Sequence, residues 1–351
     1  MNSWRDNVRK VEPYTPGEQP KEEGVIKLNT NENPYPPSEK TKEAMSGIKN
    51  LRKYPDPAAT KLVEAIASYH GFDKEEVFVG VGSDDVLAVA FMTFFNGKKP
   101  IFFPDITYSF YPVWAELFGI PYEKKAVNDA FEIQKEDYYV ENGGVVFPNP
   151  NAPTGAFLSL EVVEDIIQHN QDVVVIVDEA YIDFGGDTAK ELTRKYDNVL
   201  VVQTYSKSRS LAGLRIGYAI GNKELIKAMN DVKYSYNSYT MNEPSIVLGT
   251  AVLEDEEYFQ ETRNKIIDTR EWFQIEMRKI GFSFADSKAN FIFATHESVP
   301  AKEIFEAAKK AKIYVRYFDQ PRINNYLRIT IGTRDEMETL LDFLKEFTAT
   351  K

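Results

Sequence analysis

Between Thr204 and Gly217 the chain reads TYSKSRSLAGLRIG, a lysine set among hydroxyls with an arginine eight positions on. An amine held in a small, water-poor setting is the kind that condenses with an aldehyde to form a Schiff base. Arg215 is placed to hold an anion close to it. Asp178 closes the apolar run VVVIV, where a carboxylate needs a cationic or N–H partner. Tyr181, three residues on, could bring a phenol to the same ligand. Gly82-Ser83-Asp84-Asp85 precedes an apolar helical stretch, leaving backbone N–H groups and a positive dipole end for a phosphate. Each feature alone has a plainer reading: a helix cap at Ser83 or Asp84, a structural ion pair at Asp178, a half-buried tyrosine, a solvated loop lysine. Together they set a Schiff-base lysine beside a phosphate-type helix start, a strand-end acid and an anion-binding arginine.

These residues need a scaffold that brings them to one place. From Tyr54 onward, short β-rich runs lie at 77–82, 100–104, 122–127, 144–150, 172–178, 198–206 and 215–220. Helical patterns such as DDVLAVAFMTFF and SLEVVEDIIQHN separate most of them. Fully apolar strands alternating with helices predict an α/β fold, a mostly parallel seven-stranded sheet buried on both faces between helices. In such sheets ligands bind beyond the carboxyl ends of the strands. The polar residues expected there are Gly82 to Asp84, Asn149 to Asn151, Asp178, and Ser206 with Lys207, which should converge. Residues 1–35, rich in Pro, Asn and Glu and ending in NTNENPYPPS, read as an extended arm, and 36–253 as the large domain. From 254 the pattern changes to a long charged helix, the runs FSFADS, NFIFAT, IYVRYF and YLRITIG, and a last helix opened by a Thr333…Glu336 capping box. This predicts a smaller α+β domain over 254–351.

Composition narrows the function. At 351 residues the chain has room for about two domains of roughly 150 residues. Its net charge of −12 argues against nucleic acid or an anionic membrane surface as the main partner. There is no cysteine, which excludes disulfides and thiolate chemistry, and the three histidines, His70, His169 and His296, lack ligand spacing. No metal site is expected. The polar start MNSWRDNVRKVEP and the lack of a long apolar run predict a cytoplasmic protein. With no triad in prospect, an enzyme of this composition takes its nucleophile or base from lysine, tyrosine or a carboxylate, or leaves the hard chemistry to a cofactor.

NPNAPTG (149–155), VDEAY (177–181) and SKSRSLAGLRIG (206–217) resemble the motifs of the fold-type-I pyridoxal-phosphate aminotransferases. The resemblance runs from near the N-terminus to the last strand. DNVRKVEPY (6–14), YPDP (54–57), PDITYSFY (104–111), DSKANFIFA (286–294) and YLRITIGT (326–333) look like the histidinol-phosphate aminotransferase branch of that family. The resemblance implies pyridoxal 5′-phosphate as cofactor, attached through Lys207. It implies that Asp178 keeps the pyridine nitrogen protonated, that Tyr181 hydrogen-bonds the 3-oxygen and that Tyr108 stacks on the ring. Ser83, Asp84, Ser206 and Arg215 would cradle the phosphate. Tyr54 would reach it from a neighbouring subunit, making a homodimer with shared sites. Arg328 and Arg316 would bind the anionic group of the substrate, with Tyr14 arriving across the dimer. The substrates implied are histidinol phosphate and glutamate or 2-oxoglutarate, in histidine biosynthesis.

One position departs from the family. Where an asparagine commonly precedes the proline of PTG, this chain has Ala152, and Asn151 is the nearest substitute. Three other readings stay open at this level: an aromatic amino-acid transaminase, a pyridoxal-phosphate decarboxylase of a phosphorylated amino acid, and a non-catalytic binding protein on the same fold.

Overall fold

The computed structural model describes residues 3–49 and 51–351. A two-residue strand of the arm, β1 (Ile26–Lys27), comes first. Then β2 (Val77–Gly80), β3 (Ile101–Pro104), β4 (Tyr122–Lys125), β5 (Val145–Pro148), β6 (Val175–Asp178), β7 (Val199–Thr204) and β8 (Gly217–Gly221) build one seven-stranded sheet. Its spatial order is β2-β8-β7-β6-β5-β3-β4. Only β8 runs antiparallel to its neighbours, β2 and β7.

The apolar runs are explained by burial on both faces. Ile176 packs with Val146, Leu200 and Phe103 beneath the helix Ser83–Phe94 and Trp114. Its neighbours Val175 and Val177 face the other way, with Phe147, Val199 and Val201 against the helix Leu160–Gln168. All of these strand residues are fully buried, and each contributes about 1.5–3 kcal/mol of apolar transfer.

The sheet's polarity positions the site. The carboxyl ends of β2, β5, β6 and β7 share one edge, so the residues that follow them gather there. Because β8 is reversed, its start lies at that edge instead. Arg215, which precedes β8, therefore joins them.

A second sheet follows the helix Glu256–Lys279. It contains β9 (Phe282–Ser283), β10 (Phe291–His296), β12 (Arg316–Tyr317) and β13 (Leu327–Thr330), in the order β12-β13-β10-β9 and antiparallel throughout. Between β10 and β12 lies β11 (Ile313–Tyr314), so the run IYVRYF is two strands rather than one. β11 pairs in parallel with β1. Leu28 N–H donates to the Tyr314 carbonyl at 2.7 Å, and Thr330 N–H donates to the Leu28 carbonyl at 3.0 Å. Residues 26–31 are thus stitched to the second sheet and delivered to the mouth of the first. The final helix, Arg334–Ala349, opens with the Thr333 and Glu336 capping box. Among the described residues no helix is long and apolar enough to cross a membrane.

Candidate active site

At the shared strand edge lies a cavity lined by Ser83, Asp84, Tyr108, Ala152, Asp178, Tyr181, Ser206, Lys207 and Arg215. Of the residues expected to converge from the strand ends, Ser83, Asp84, Asp178, Ser206 and Lys207 do so. The Asn149 amide is instead tied to the Leu158 backbone, donating to its carbonyl at 3.0 Å and accepting from its N–H at 2.8 Å. Lys207 Nζ sits 5.5 Å from the centre of the Tyr181 ring and donates to the Thr30 carbonyl at 3.3 Å. The backbone carbonyls of Lys207 and Ser208 both accept from Asn33 Nδ2, at 3.1 and 3.0 Å. The lysine's main chain is therefore held from the arm.

Asp178 is 5% exposed at the floor of the cavity. It accepts from the Tyr111 hydroxyl at 2.8 Å and from Ala180 N–H at 3.3 Å, both neutral donors. Burial pushes its carboxyl up to about 6, and the Asp84 charge adds to the rise. A carboxylate so placed lacks the cation that would make its burial favourable.

The anion cradle is built by close backbone approach. The helix Ser83–Phe94 has Gly82 as its N-cap with φ +85° and no side-chain cap, so Ser83 and Asp84 lie in its first turn rather than capping it. A Cβ on Gly82 would collide with the Arg215 guanidinium, and one on Gly217 would collide with Ser83 N–H. Arg215 Nη1 donates to Ser206 Oγ at 3.2 Å, and Nη2 pairs with Asp84 Oδ2 at 3.0 Å. Tyr108 donates to the other Asp84 oxygen at 2.7 Å. Arg215 itself is a non-glycine at φ +53°, backbone strain of a kind that clusters at ligand sites.

Outside this cavity an open cleft is lined by Tyr14, Arg316, Phe318 and Arg328 and continues to Lys207. Arg316 and Arg328 face each other directly across the β12–β13 pair. Arg328 Nη2 donates to the Asn29 carbonyl at 3.0 Å, while its Nε is buried without a partner. Burial, and the adjacent Arg316 charge, pull the Arg328 guanidinium below its ordinary value. Among the described residues neither arginine joins an ion pair. Two like charges opposed across a ladder repel, and an anion between them removes the penalty.

Two expectations, those for Asn151 and Tyr14, come out differently. Asn151 lines neither the cavity nor the cleft: its amide donates to the Ile106 carbonyl at 2.9 Å and to Thr154 at 3.0 Å, and accepts from Thr107 at 3.0 Å. Those bonds brace the loop, so Asn151 does not replace the side chain missing at Ala152. Tyr14 lies in its own chain's cleft, its ring stacked on Phe110 at 4.3 Å, because residues 12–15 run along that face. Tyr54 is 82% exposed and stacks on Tyr239 at 4.8 Å, away from this chain's cavity. Tyr111, Asn33 and Asn31, whose Nδ2 donates to the Tyr181 hydroxyl at 2.9 Å, are site residues that motif reading does not single out. The density of asparagine in NTNENP is the one signal that points to the last two.

A lysine, a buried strand-end acid and an anion cradle of Arg215, Ser206 and a helix start on this sheet define a cofactor-dependent group-transfer enzyme of the aminotransferase fold. The sequence profile of aminotransferase class I and II matches residues 23–344. Histidinol-phosphate aminotransferase of Lactococcus lactis subsp. lactis is 50% identical over 347 residues, 98% of this chain and 96% of that one. The protein of the same name from Clostridium beijerinckii is 51% identical over 344 residues, 97% of this chain and 96% of that one. The crystal structure of histidinol-phosphate aminotransferase from Clostridium acetobutylicum superposes with a TM-score of 0.85 at 22% identity, covering 93% of this chain and all of that one. A Sinorhizobium meliloti structure of the same name, in complex with pyridoxal-5′-phosphate, gives 0.85 at 22% identity over 93% and 91%. The chain belongs to the class I and II aminotransferases, in their histidinol-phosphate aminotransferase branch.

Pyridoxal phosphate, the cofactor of this family, fits the residues present. Asp178 is a buried carboxylate without a cation, which a protonated ring nitrogen supplies. Gly82 and Gly217 let the helix start, the first residues of β8 and the Arg215 guanidinium pack closely, which would set the Ser83 and Asp84 N–H groups beside Arg215 for a phosphate.

Proposed function

We propose that this protein binds pyridoxal 5′-phosphate and transfers the amino group of L-histidinol phosphate to 2-oxoglutarate. The observation that carries the substrate reading is the Arg316–Arg328 pair, two guanidiniums opposed without an acid beside the route to Lys207. Histidinol phosphate carries a phosphomethyl group where an amino acid has its carboxylate. A dianion suits two arginines, and glutamate uses the same fork in the return half-reaction.

Bound pyridoxal phosphate supplies an electron sink that stabilises negative charge developing at the substrate Cα. The chain does the rest. Lys207 is the attachment point and, once freed, the base that moves the proton at the substrate Cα. Asp178 holds the ring-nitrogen proton, with Tyr111 and Ala180 N–H fixing its orientation. Tyr181 bonds the 3-oxygen, Tyr108 covers the ring face, and Ser83, Asp84, Ser206 and Arg215 hold the phosphate. Asp84 must then share Arg215 with the ligand, since the two are paired at 3.0 Å.

The same reading includes a homodimer in which Tyr54, exposed and remote from its own cavity, reaches the phosphate in the partner's site. It also includes a cytoplasmic setting, since a phosphate ester does not cross a membrane unaided.

The test is an absorbance spectrum after loading with pyridoxal phosphate, followed by titration with histidinol phosphate. A visible band that bleaches on titration, with 2-oxoglutarate restoring it, supports the reading. A higher kcat/KM for phenylalanine than for histidinol phosphate would overturn the substrate. Carbon dioxide release from a phosphorylated amino acid, without keto-acid product, would overturn the reaction.

A further inference from the structure

Asn31 is 1% exposed and, although not glycine, has φ +56°. Its strained backbone is held on every side. Asn31 N–H donates to Thr330 Oγ1 at 3.0 Å, and that hydroxyl in turn donates to Asn31 Oδ1 at 3.0 Å. The Asn31 carbonyl accepts from Asn290 Nδ2 at 3.0 Å. Because Oδ1 is committed to Thr330, the amide has one orientation, and Nδ2 faces the Tyr181 hydroxyl at 2.9 Å. Among the described residues this is the only side-chain bond to that oxygen. Ala152 brings no polar side-chain atom to the cavity, and the Asn151 amide is committed to its own loop.

A phenol has a single hydrogen to donate. We infer that Asn31 is a positioning residue for Tyr181, occupying the oxygen's acceptor side so that the phenol hydrogen points into the cavity toward the ligand. Accepting one hydrogen bond also strengthens the one donated. The inference rests on the cavity being the pyridoxal-phosphate site, where the acceptor is the cofactor's 3-oxygen. The segment is well placed for this. Its preceding residues, Asn29 and Thr30, accept from Arg328 and Lys207, so residues 29–31 touch substrate anchor, base and phenol in turn.

The direction of the effect follows from charge. A phenol hydrogen aimed at an anionic 3-oxygen loosens that oxygen's hold on the proton it shares with the lysine-derived nitrogen. Removing the Asn31 donor therefore raises the pH at which the bound cofactor's visible band changes. The shift expected for one neutral hydrogen bond is about half to one pH unit.

The experiment is a spectrophotometric pH titration of the protein loaded with pyridoxal phosphate, without substrate. Four variants are compared with the parent: Asn31→Gly, Asn31→Asp, Tyr181→Phe, and Asn31→Gly combined with Tyr181→Phe. Glycine accepts the left-handed backbone, so Asn31→Gly removes the donor while relieving strain. Asn31→Asp puts an acceptor in the donor's place and should raise the midpoint at least as far. Expected is an upward shift in Asn31→Gly that disappears when Tyr181 is already Phe. An unchanged midpoint in Asn31→Gly, or the same shift in both backgrounds, would overturn the inference. A parent protein that forms no visible band with pyridoxal phosphate sinks the cofactor reading instead, which keeps the two failures apart.

Discussion

Replacing Asp178 by Asn should stabilise the cofactor-free protein and disable the loaded one. The stability effect follows from burial. Asp178 lies on the cavity floor with two neutral donors and no cation, and its carboxyl moves from an ordinary 3.8 to about 6. The folded state thus prefers the protonated acid. Stability from this group is fully present below about pH 4 and is lost as pH rises toward 6, after which the deficit is constant. At neutral pH that deficit is on the order of 3 kcal/mol. Asparagine avoids it, keeping its Oδ1 toward Ala180 N–H and its amide toward Tyr111. For 351 residues the gain corresponds to a rise in Tm of about 4 °C, shrinking to about half by pH 5. Glu179, also buried and pushed up to about 7, titrates in both proteins and cancels in the comparison. Activity should move the opposite way. A neutral amide cannot hold a proton on the ring nitrogen, and a loss of several kcal/mol in the transition state is a rate loss of at least about 100-fold. Calorimetry of the cofactor-free pair at pH 7.5 and 5, beside turnover of the loaded pair, reads both arms. An Asp178→Asn protein that melts below the parent at pH 7.5, or turns over near the parent rate, refutes the reasoning.

Lys207→Ala should leave the fold intact and abolish covalent attachment, so borohydride reduction followed by mass spectrometry finds no modified peptide. Cofactor attached elsewhere with activity retained would rule out the assignment. Arg316→Ala should lower kcat/KM for histidinol phosphate about 10- to 100-fold and for glutamate by less, since a dianion uses both guanidiniums. Equal losses with both substrates would count against the shared-anion site. Gly82→Ala, strained at φ +85° and pressing on Arg215, should weaken pyridoxal-phosphate binding by roughly tenfold or more. Fluorescence titration of the cofactor-free protein checks this, and an unchanged Kd would show that the cradle lies elsewhere.

Six of the seven strands of the large sheet were legible as largely apolar runs buried on both faces, whereas the edge strand β4, YEKK, is charged and partly exposed. Their ends located Asp178, Lys207 and Ser83 because chain direction in a parallel sheet dictates where the following residues emerge. The reversal of β8 was not legible, although it is what brings Arg215 to the site. Contacts made from the arm were not legible either. Asn31 meets Tyr181 across 150 positions, and no periodicity encodes a bond of that separation. NTNENP reads as extended and polar, and only the pairing of β1 with β11 shows why its amides turn inward. Asn151 was chosen by its nearness to Ala152 and Tyr14 by the family resemblance, but loop bracing decided the direction of one and Phe110 the resting place of the other.

The opposed arginines make the cleft a counter of ligand charge. A phosphate monoester gains its second negative charge near pH 6, whereas a carboxylate carries one charge throughout the neutral range. Preference for the phosphorylated donor over glutamate should therefore climb as pH passes 6, with neither arginine changing its ionisation. Selectivity would then be set by the substrate's own proton, and acidification of its surroundings would favour occupancy of the cleft by the carboxylate partner.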